Sequence, residues 1–157
     1  MVIQLTKNGA KPNIIKYIRD NGTETWMYSD DFFVRHDISH FILESVLGYH
    51  TAFNGMINQG MDIRDFENKE KRASLTVTDE AYYAENLANL FLIEIVQGGF
   101  SDFNTVQQDA FVSWNNQFPA ICLADDKITQ IRSQLRKLLH QWEKLPEGEK
   151  MELIFEV

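Results

Sequence analysis

The sequence predicts an α+β domain in which a small antiparallel sheet, formed by the N-terminal strands and the C-terminal strand, packs on about four helices. Three observations predict this fold. Short segments that alternate apolar and polar residues stand at both ends of the chain, apolar residues recur at helical spacing in the middle, and turn residues separate these segments. At 157 residues the chain is expected to form a single domain, residues 1–157, with a core that needs no disulfide.

Residues 2–28 have the alternation and the turn residues of three β-strands. The tripeptide Asp20-Asn21-Gly22 predicts a tight hairpin because Asn and Gly tolerate the positive φ values of such a turn. The predicted strands are Val2 to Thr6, Ile14 to Arg19 and Thr23 to Tyr28. The segment from Met151 to Val157 alternates in the same way, and it is expected to join this sheet because an isolated final strand has no partner.

The middle of the chain has the apolar spacing of helices, and its polar residues predict where they begin. A helix is expected over residues 36–48, led by Asp30-Asp31, and a shorter helical segment is expected to end at Gly60. The mixed-charge segment 62–78 predicts a mobile surface loop. Thr78 is expected to cap a helix that runs to Gln97, Ser101 to cap one that stops at Phe118-Pro119, and Asp125 or Asp126 to cap one that ends before Leu145-Pro146.

Charge and cysteine usage narrow the classes of partner. The chain has 15 basic and 23 acidic residues, a net charge of −8, which argues against nucleic acid or an anionic membrane as a partner. No segment has the length and apolar content of a membrane span. Cys122 is the single cysteine and stands in an apolar setting, so we expect a structural thiol and a reducing, cytoplasmic location. The expected partner is a small molecule or a protein.

The predicted helix that starts at His36 carries the most informative polar residues of the chain. At about 100° per residue, His36, Asp37, His40 and Glu44 share about a quarter of the helix surface, and the other faces are apolar. One interpretation is an ordinary solvated face, with Asp37 close to the helix N-terminus and its orphan N–H groups. A metal site is the other interpretation.

The metal hypothesis rests on the HDxxH pattern of His36, Asp37 and His40. Histidines at i and i+4 place two imidazoles one turn apart, as in the HExxH zinc helix, so Zn²⁺ is the cofactor that this pattern indicates. The acidic residue of HExxH acts on the metal-bound water. Asp37 stands at that position, so it is the candidate catalytic residue. Its side chain is one methylene shorter than Glu, which argues against direct action on the water, and the alternative is that it orients a histidine.

Two acidic residues are candidates for a third metal ligand. The predicted helix 79–97 is apolar nearly all round, and a carboxylate in such a setting needs His, Arg or a metal as a partner. Glu85 is therefore the first candidate ligand, and Glu44 is the second. A coordination position left to water would permit hydrolysis of a small substrate.

Two hypotheses without a metal remain open. In the first, the protein is a non-enzymatic interaction or structural domain, and the polar quarter of the central helix is solvated or meets a partner protein. In the second, the histidines form a structural cluster that titrates near neutral pH and couples stability to acidity. The sequence does not decide whether the protein is an enzyme.

The order of motifs resembles a family of uncharacterised bacterial proteins that have a β-hairpin, an HDxxHxxxE helix and a C-terminal WxxLPxGE segment. The matching segments here are Arg19 to Gly22, His36 to Gly48, Phe53 to Ile57 and Trp142 to Glu149. The resemblance spans most of the chain and implies the α+β order, but no activity. The HDxxH pattern is also similar to the proposed zinc motif of a ubiquinone-biosynthesis protein. In that motif a Glu follows where this chain has Ala52, so this similarity implies no function.

Overall fold

The computed structural model describes residues 1–66, 68, 70–71, 77–114 and 119–156, and it has the predicted α+β architecture. Four strands form one antiparallel sheet, and the helices cover one face of it. A 3-10 turn, Ile63–Phe66, follows α2. The elements are β1 (Val2–Thr6), β2 (Asn13–Ile18), β3 (Glu24–Ser29), α1 (Asp31–Leu47), α2 (Phe53–Asn58), α3 (Asp79–Gln97), α4 (Phe103–Trp114), α5 (Asp125–Lys144) and β4 (Lys150–Ile154).

The sheet has the strand order β3-β2-β1-β4, so the first and last strands of the chain are neighbours. Leu5 of β1 stands opposite Ile15 of β2 on one side and Met151 of β4 on the other. The prediction that the last strand joins the N-terminal sheet is therefore confirmed. Strand alternation turns Leu5, Ile15 and Tyr17 into the core, where each is at most 1% exposed.

Helix α1 is the central element, since it packs against β2, α2, α3 and α5. It begins at Asp31, earlier than the predicted start at residue 36, because the side chain of Asp30 accepts a hydrogen bond from the Phe33 N–H at 3.0 Å. Gly48 ends it with a φ of 71°, a conformation that suits glycine. Asp37 consequently lies in the second turn, and the interpretation that it sits by the orphan N–H groups is wrong.

The ends of the other long helices confirm one prediction and correct two. Thr78 caps α3 by accepting a hydrogen bond from the Ala81 N–H at 3.0 Å, and α3 ends at Gln97 as predicted. Helix α4 is capped by Asp102 and not by Ser101, because the Asp102 carboxylate accepts from the Thr105 N–H at 3.0 Å. Neither predicted aspartate caps α5: both lie in its first turn, where their charges suit the helix dipole.

The segment predicted as a surface loop is partly buried. Ile63 in the 3-10 turn is only 2% exposed, and its N–H donates to the Thr25 hydroxyl on β3 at 3.3 Å. The loop prediction is therefore wrong for this residue. Residues 67, 69 and 72–76 of the same segment, and the predicted helix stop at Phe118, lie outside the described residues.

The structure bears on the predicted setting of Cys122 and on the predicted absence of a membrane span. The side chain of Cys122 is exposed, which argues against the prediction of a structural thiol in an apolar setting. Among the helices that the structure describes, none has both the length and the apolar character to span a bilayer.

Candidate metal centre

Three of the predicted ligands converge between α1 and α3. His36 and His40 project from successive turns of α1, and Glu85 reaches them from α3. One donor atom from each side chain lies within 4.8 Å of the other two. The Nε2 atom of His40 is 3.2 Å from one Glu85 oxygen, and the Nε2 atom of His36 is 3.6 Å from the other. This group can hold a metal ion.

Two of the donor separations, each measured to a different oxygen of Glu85, are close to those of a tetrahedral zinc site. Ligand atoms that bind one zinc at about 2.0–2.1 Å lie roughly 3.3 Å apart. The two distances from Glu85, 3.2 and 3.6 Å, are near this value. The Asn89 amide donates to Glu85 Oε1 at 3.1 Å and so helps to hold the carboxylate toward α1.

Glu44, the second candidate for a third ligand, lies on the opposite side of His40. Its Oε1 atom is 3.1 Å from His40 Nδ1, and its Oε2 atom accepts a hydrogen bond from the Asn54 N–H at 2.8 Å. Glu44 is fully buried and stands outside the group formed by His36, His40 and Glu85. Its position fixes the orientation of the His40 ring and leaves Nε2 to face Glu85.

The charges of this cluster stabilise one another. Burial alone would lower the pKa of His40, but the hydrogen bonds and charges of Glu44 and Glu85 outweigh it and raise that pKa to about 10. Hydrogen bonds from His36 and His40 hold the pKa of Glu85 well below its usual value. The raised pKa of His40 argues against the hypothesis that this histidine titrates near neutral pH.

Asp37, the candidate catalytic residue, is buried beside this cluster and is hydrogen-bonded to a side chain of the sheet. The hydroxyl of Tyr17 on β2 donates to Asp37 Oδ2 at 3.0 Å. Burial raises the pKa of Asp37 to about 6, although the charges of His40 and His36 oppose the shift. Sequence reasoning did not assign Tyr17 to the site; its inward position in the alternating β2 segment was the available signal.

His36, His40, Glu85 and Asp37 line a cavity of about 500 Å³. The ring centroids of His40 and Phe53 lie 5.3 Å apart, and those of Phe53 and Phe66 lie 4.6 Å apart. The two phenylalanines come from separate segments of the chain, so no sequence spacing pointed to them. The lining is formed by Ile15, Met27, Ser29, Phe33, His36, Asp37, His40, Phe53, Ile63, Phe66 and Glu85.

Burial argues against an ordinary solvated face on α1. His40 is 3% exposed, Asp37 is 9% exposed and Glu44 is inaccessible to solvent. The solvated-face interpretation is therefore wrong for these three residues. Their polar atoms meet other protein groups and the cavity.

Comparison with known proteins adds nothing to this geometry: no family model, curated protein or solved structure matches the chain.

Proposed function

We propose that this protein binds one divalent metal ion, with zinc as the preferred metal, through His36, His40 and Glu85, and uses it to hydrolyse a small substrate. The observation that carries the proposal is the convergence of their donor atoms within 4.8 Å at the wall of a cavity of about 500 Å³. Two imidazoles and one carboxylate are a donor set of catalytic zinc sites, in which a water molecule takes the fourth position.

The environment of His40 supports this assignment. A histidine that ligates a metal commonly donates its other ring N–H to a carboxylate, which fixes the tautomer and the ring orientation. Glu44 Oε1 lies 3.1 Å from His40 Nδ1, on the side away from Glu85. We therefore assign Glu44 the role of orienting His40, and Glu85 the role of the third ligand.

The chemistry needs a group that accepts and returns a proton, and Asp37 is the residue we propose for it. Zinc lowers the pKa of a bound water toward neutrality. Asp37 lines the same cavity, and a pKa of about 6 suits a general base at neutral pH. As the water oxygen adds to the electrophilic carbon, Asp37 takes its proton, and the proton passes to the leaving group when the bond to that group breaks.

The test is the metal content of protein purified without a His tag, measured by mass spectrometry. We expect near-stoichiometric zinc in the wild type and its loss in His36→Ala and Glu85→Gln. The Glu85 side chain is 56% exposed, so this substitution should leave the fold intact. His140→Ala is the matched control, because His140 is exposed and lies outside the donor group.

Two outcomes would revise or overturn the proposal. If neither the wild type nor the control variant binds or is thermally stabilised by zinc, manganese, iron or nickel, the metal site is refuted. If iron binds in place of zinc, the ligand assignment stands and hydrolysis is refuted as the expected chemistry, since two histidines and a carboxylate are also the ligands of non-haem iron oxygenases.

A second candidate function is a structural domain without a metal. It is favoured by one observation: both ring nitrogens of His40 already have carboxylate partners, Glu44 and Glu85. In that case the charged cluster only stabilises the packing of α1 against α3. Glu85→Gln would then lower the melting temperature of the protein, and added zinc would change the melting of neither the variant nor the wild type.

A further inference from the structure

The cavity has two chemically different parts. His36, Asp37, His40 and Glu85 form a polar wall, and Ser29 adds one hydroxyl. The rest of the lining is apolar and comes from β2, β3, α1, α2 and the 3-10 turn. Its members are Ile15, Met27, Phe33, Phe53, Ile63 and Phe66. A molecule that fills this space needs an apolar body as well as a polar end.

The apolar wall begins directly beside the candidate ligands. The Phe53 ring centroid is 5.3 Å from that of His40, and Phe66 continues the wall 4.6 Å beyond Phe53. Tyr17 packs edge-to-face against Phe53, with 6.1 Å between the ring centroids. A molecule whose head group reaches the donors of His36, His40 and Glu85 therefore lays its body along these rings.

The charges of the lining restrict the head group. The lining contains two carboxylates, Asp37 and Glu85, and none of the described residues that form it is a lysine or an arginine. Phosphate recognition in proteins relies on such cations and on backbone N–H groups. A bound divalent ion polarises a carbonyl oxygen as well as a phosphoryl oxygen. The neutral carbonyl adds no negative charge beside Asp37 and Glu85, so this lining favours it over a phosphate.

We infer that the substrate is an acyl compound, a neutral ester or amide whose carbonyl group meets the metal and whose apolar body lies along Phe53 and Phe66. This inference rests on the proposed function. In the reaction, water adds to the carbonyl carbon, the bond to the alcohol or amine breaks, and a carboxylic acid is released. At about 30 Å³ per water-sized group, the cavity of about 500 Å³ accommodates on the order of 15 non-hydrogen atoms.

The experiment compares two probes of different chain length on the zinc-loaded protein. Acetohydroxamate and octanohydroxamate share a zinc-binding head group and differ only in the apolar body. We expect octanohydroxamate to bind at least about tenfold more tightly in titration calorimetry, because each buried methylene adds favourable transfer free energy. A third probe, octyl phosphate, should displace octanohydroxamate poorly.

Substitutions in the lining test where the apolar chain of octanohydroxamate lies in the cavity. Phe33 is 51% exposed at the edge of the cavity, so Phe33→Ser should preserve the fold and reduce the gain of octanohydroxamate over acetohydroxamate. Phe66→Ser should reduce this gain further. Tyr28→Ser is the matched control, because Tyr28 is a 60% exposed aromatic residue on β3 that does not line the cavity.

The outcomes separate this inference from the proposed function. Failure of zinc to bind would refute both. If zinc binds and the two hydroxamates have equal affinities, the apolar body of the substrate is refuted and the metal site stands. Tighter binding of octyl phosphate than of octanohydroxamate would refute the carbonyl head group. If Phe66→Ser does not fold, Phe33→Ser and its Tyr28→Ser control still decide the question.

Discussion

Glu44 Oε1 lies 3.1 Å from Nδ1 of His40, one turn away on α1, and neither residue is more than 3% exposed. The other oxygen of Glu44 accepts the Asn54 N–H at 2.8 Å. One buried carboxylate therefore connects the histidine to the start of α2. It also determines which ring nitrogen faces the cavity.

The first prediction concerns Glu44→Gln. A glutamine side chain has one acceptor oxygen, so it cannot accept from both His40 and the Asn54 N–H. We expect the free energy of unfolding to fall by about 2 kcal/mol, because one buried donor is left unsatisfied. Zinc affinity should fall by about 10-fold to 100-fold, the usual effect of losing a carboxylate that orients a ligand.

Urea denaturation and zinc titration measure these two effects. Glu149→Gln is the control, since Glu149 is exposed and belongs neither to the donor group nor to the cavity lining; it should change neither quantity. An unchanged zinc affinity in a folded Glu44→Gln variant would contradict the orienting role of Glu44.

The second prediction is a steep pH dependence of zinc binding. Glu44 and Glu85 raise the pKa of metal-free His40 to about 10, against the effect of burial, so its Nε2 carries a proton that zinc must displace. Glu85 is already ionised, since its pKa is lowered. Apparent zinc affinity should therefore rise about tenfold per pH unit between roughly pH 7 and 9.

Calorimetry in buffers of different ionisation enthalpy measures the proton release directly. Close to one proton should leave the protein for each zinc ion bound at pH 7.5. Binding that is independent of pH over this range would contradict a protonated His40 in the metal-free state.

The third prediction is that Asp37→Asn stabilises the fold while it removes turnover. Burial raises the pKa of Asp37 to about 6 from an unfolded value near 4, so the fold favours the neutral form. That contribution is fully present below about pH 4 and is lost as the pH rises through 6. Asparagine mimics the neutral form and can still accept from Tyr17, so stability at pH 8 should rise by up to roughly 3 kcal/mol.

Urea denaturation at pH 4 and pH 8 tests the sign of this effect, because the gain should shrink at the lower pH. Tyr17→Phe is a companion variant that removes the hydroxyl group, which donates a hydrogen bond to Asp37 at 3.0 Å. A loss of stability in Asp37→Asn at pH 8 would show that the charged form of Asp37 stabilises the fold.

The fold was predictable because local signals and tertiary packing agree. Strand alternation in Val2 to Thr6, the cap at Thr78 and the stop after Gln97 are each local features, and each stands where the sequence predicts it. The start of α1 was predicted five residues too late because the helical spacing was counted from His36. The geometry shows that the helix begins where Asp30 accepts the capping hydrogen bond. The chain gave no local signal for the burial of Ile63, which depends on its contact with β3.

The site was predictable to the extent that it lies on one helix. His36 and His40 follow from helical spacing, and Glu85 follows from the need of a carboxylate on an apolar helix for a partner. The same reasoning left Glu44 as an alternative ligand, since spacing alone does not tell which ring nitrogen of His40 it meets. Phe53 and Phe66 enter the cavity through tertiary packing, which one sequence does not encode in any spacing.

The last prediction concerns Glu94, a buried carboxylate in the C-terminal part of α3. It is 6% exposed and accepts hydrogen bonds from Arg132 Nε at 2.9 Å and from the Phe100 N–H at 2.7 Å. Arg132→Met should lower the free energy of unfolding by about 3 kcal/mol, because it leaves a buried carboxylate without its cation. Zinc content should stay unchanged, since Glu94 and Arg132 lie outside the donor group.

Arg136→Met is the matched control for this prediction. Arg136 is exposed on the same helix, and no ion pair joins it to another described residue, so its loss should change stability by less than about 0.5 kcal/mol. Urea denaturation of the two variants measures the difference. Equal stability would mean that solvent replaces Arg132 beside Glu94; a parallel loss of zinc would mean that the α3–α5 contact also positions Glu85.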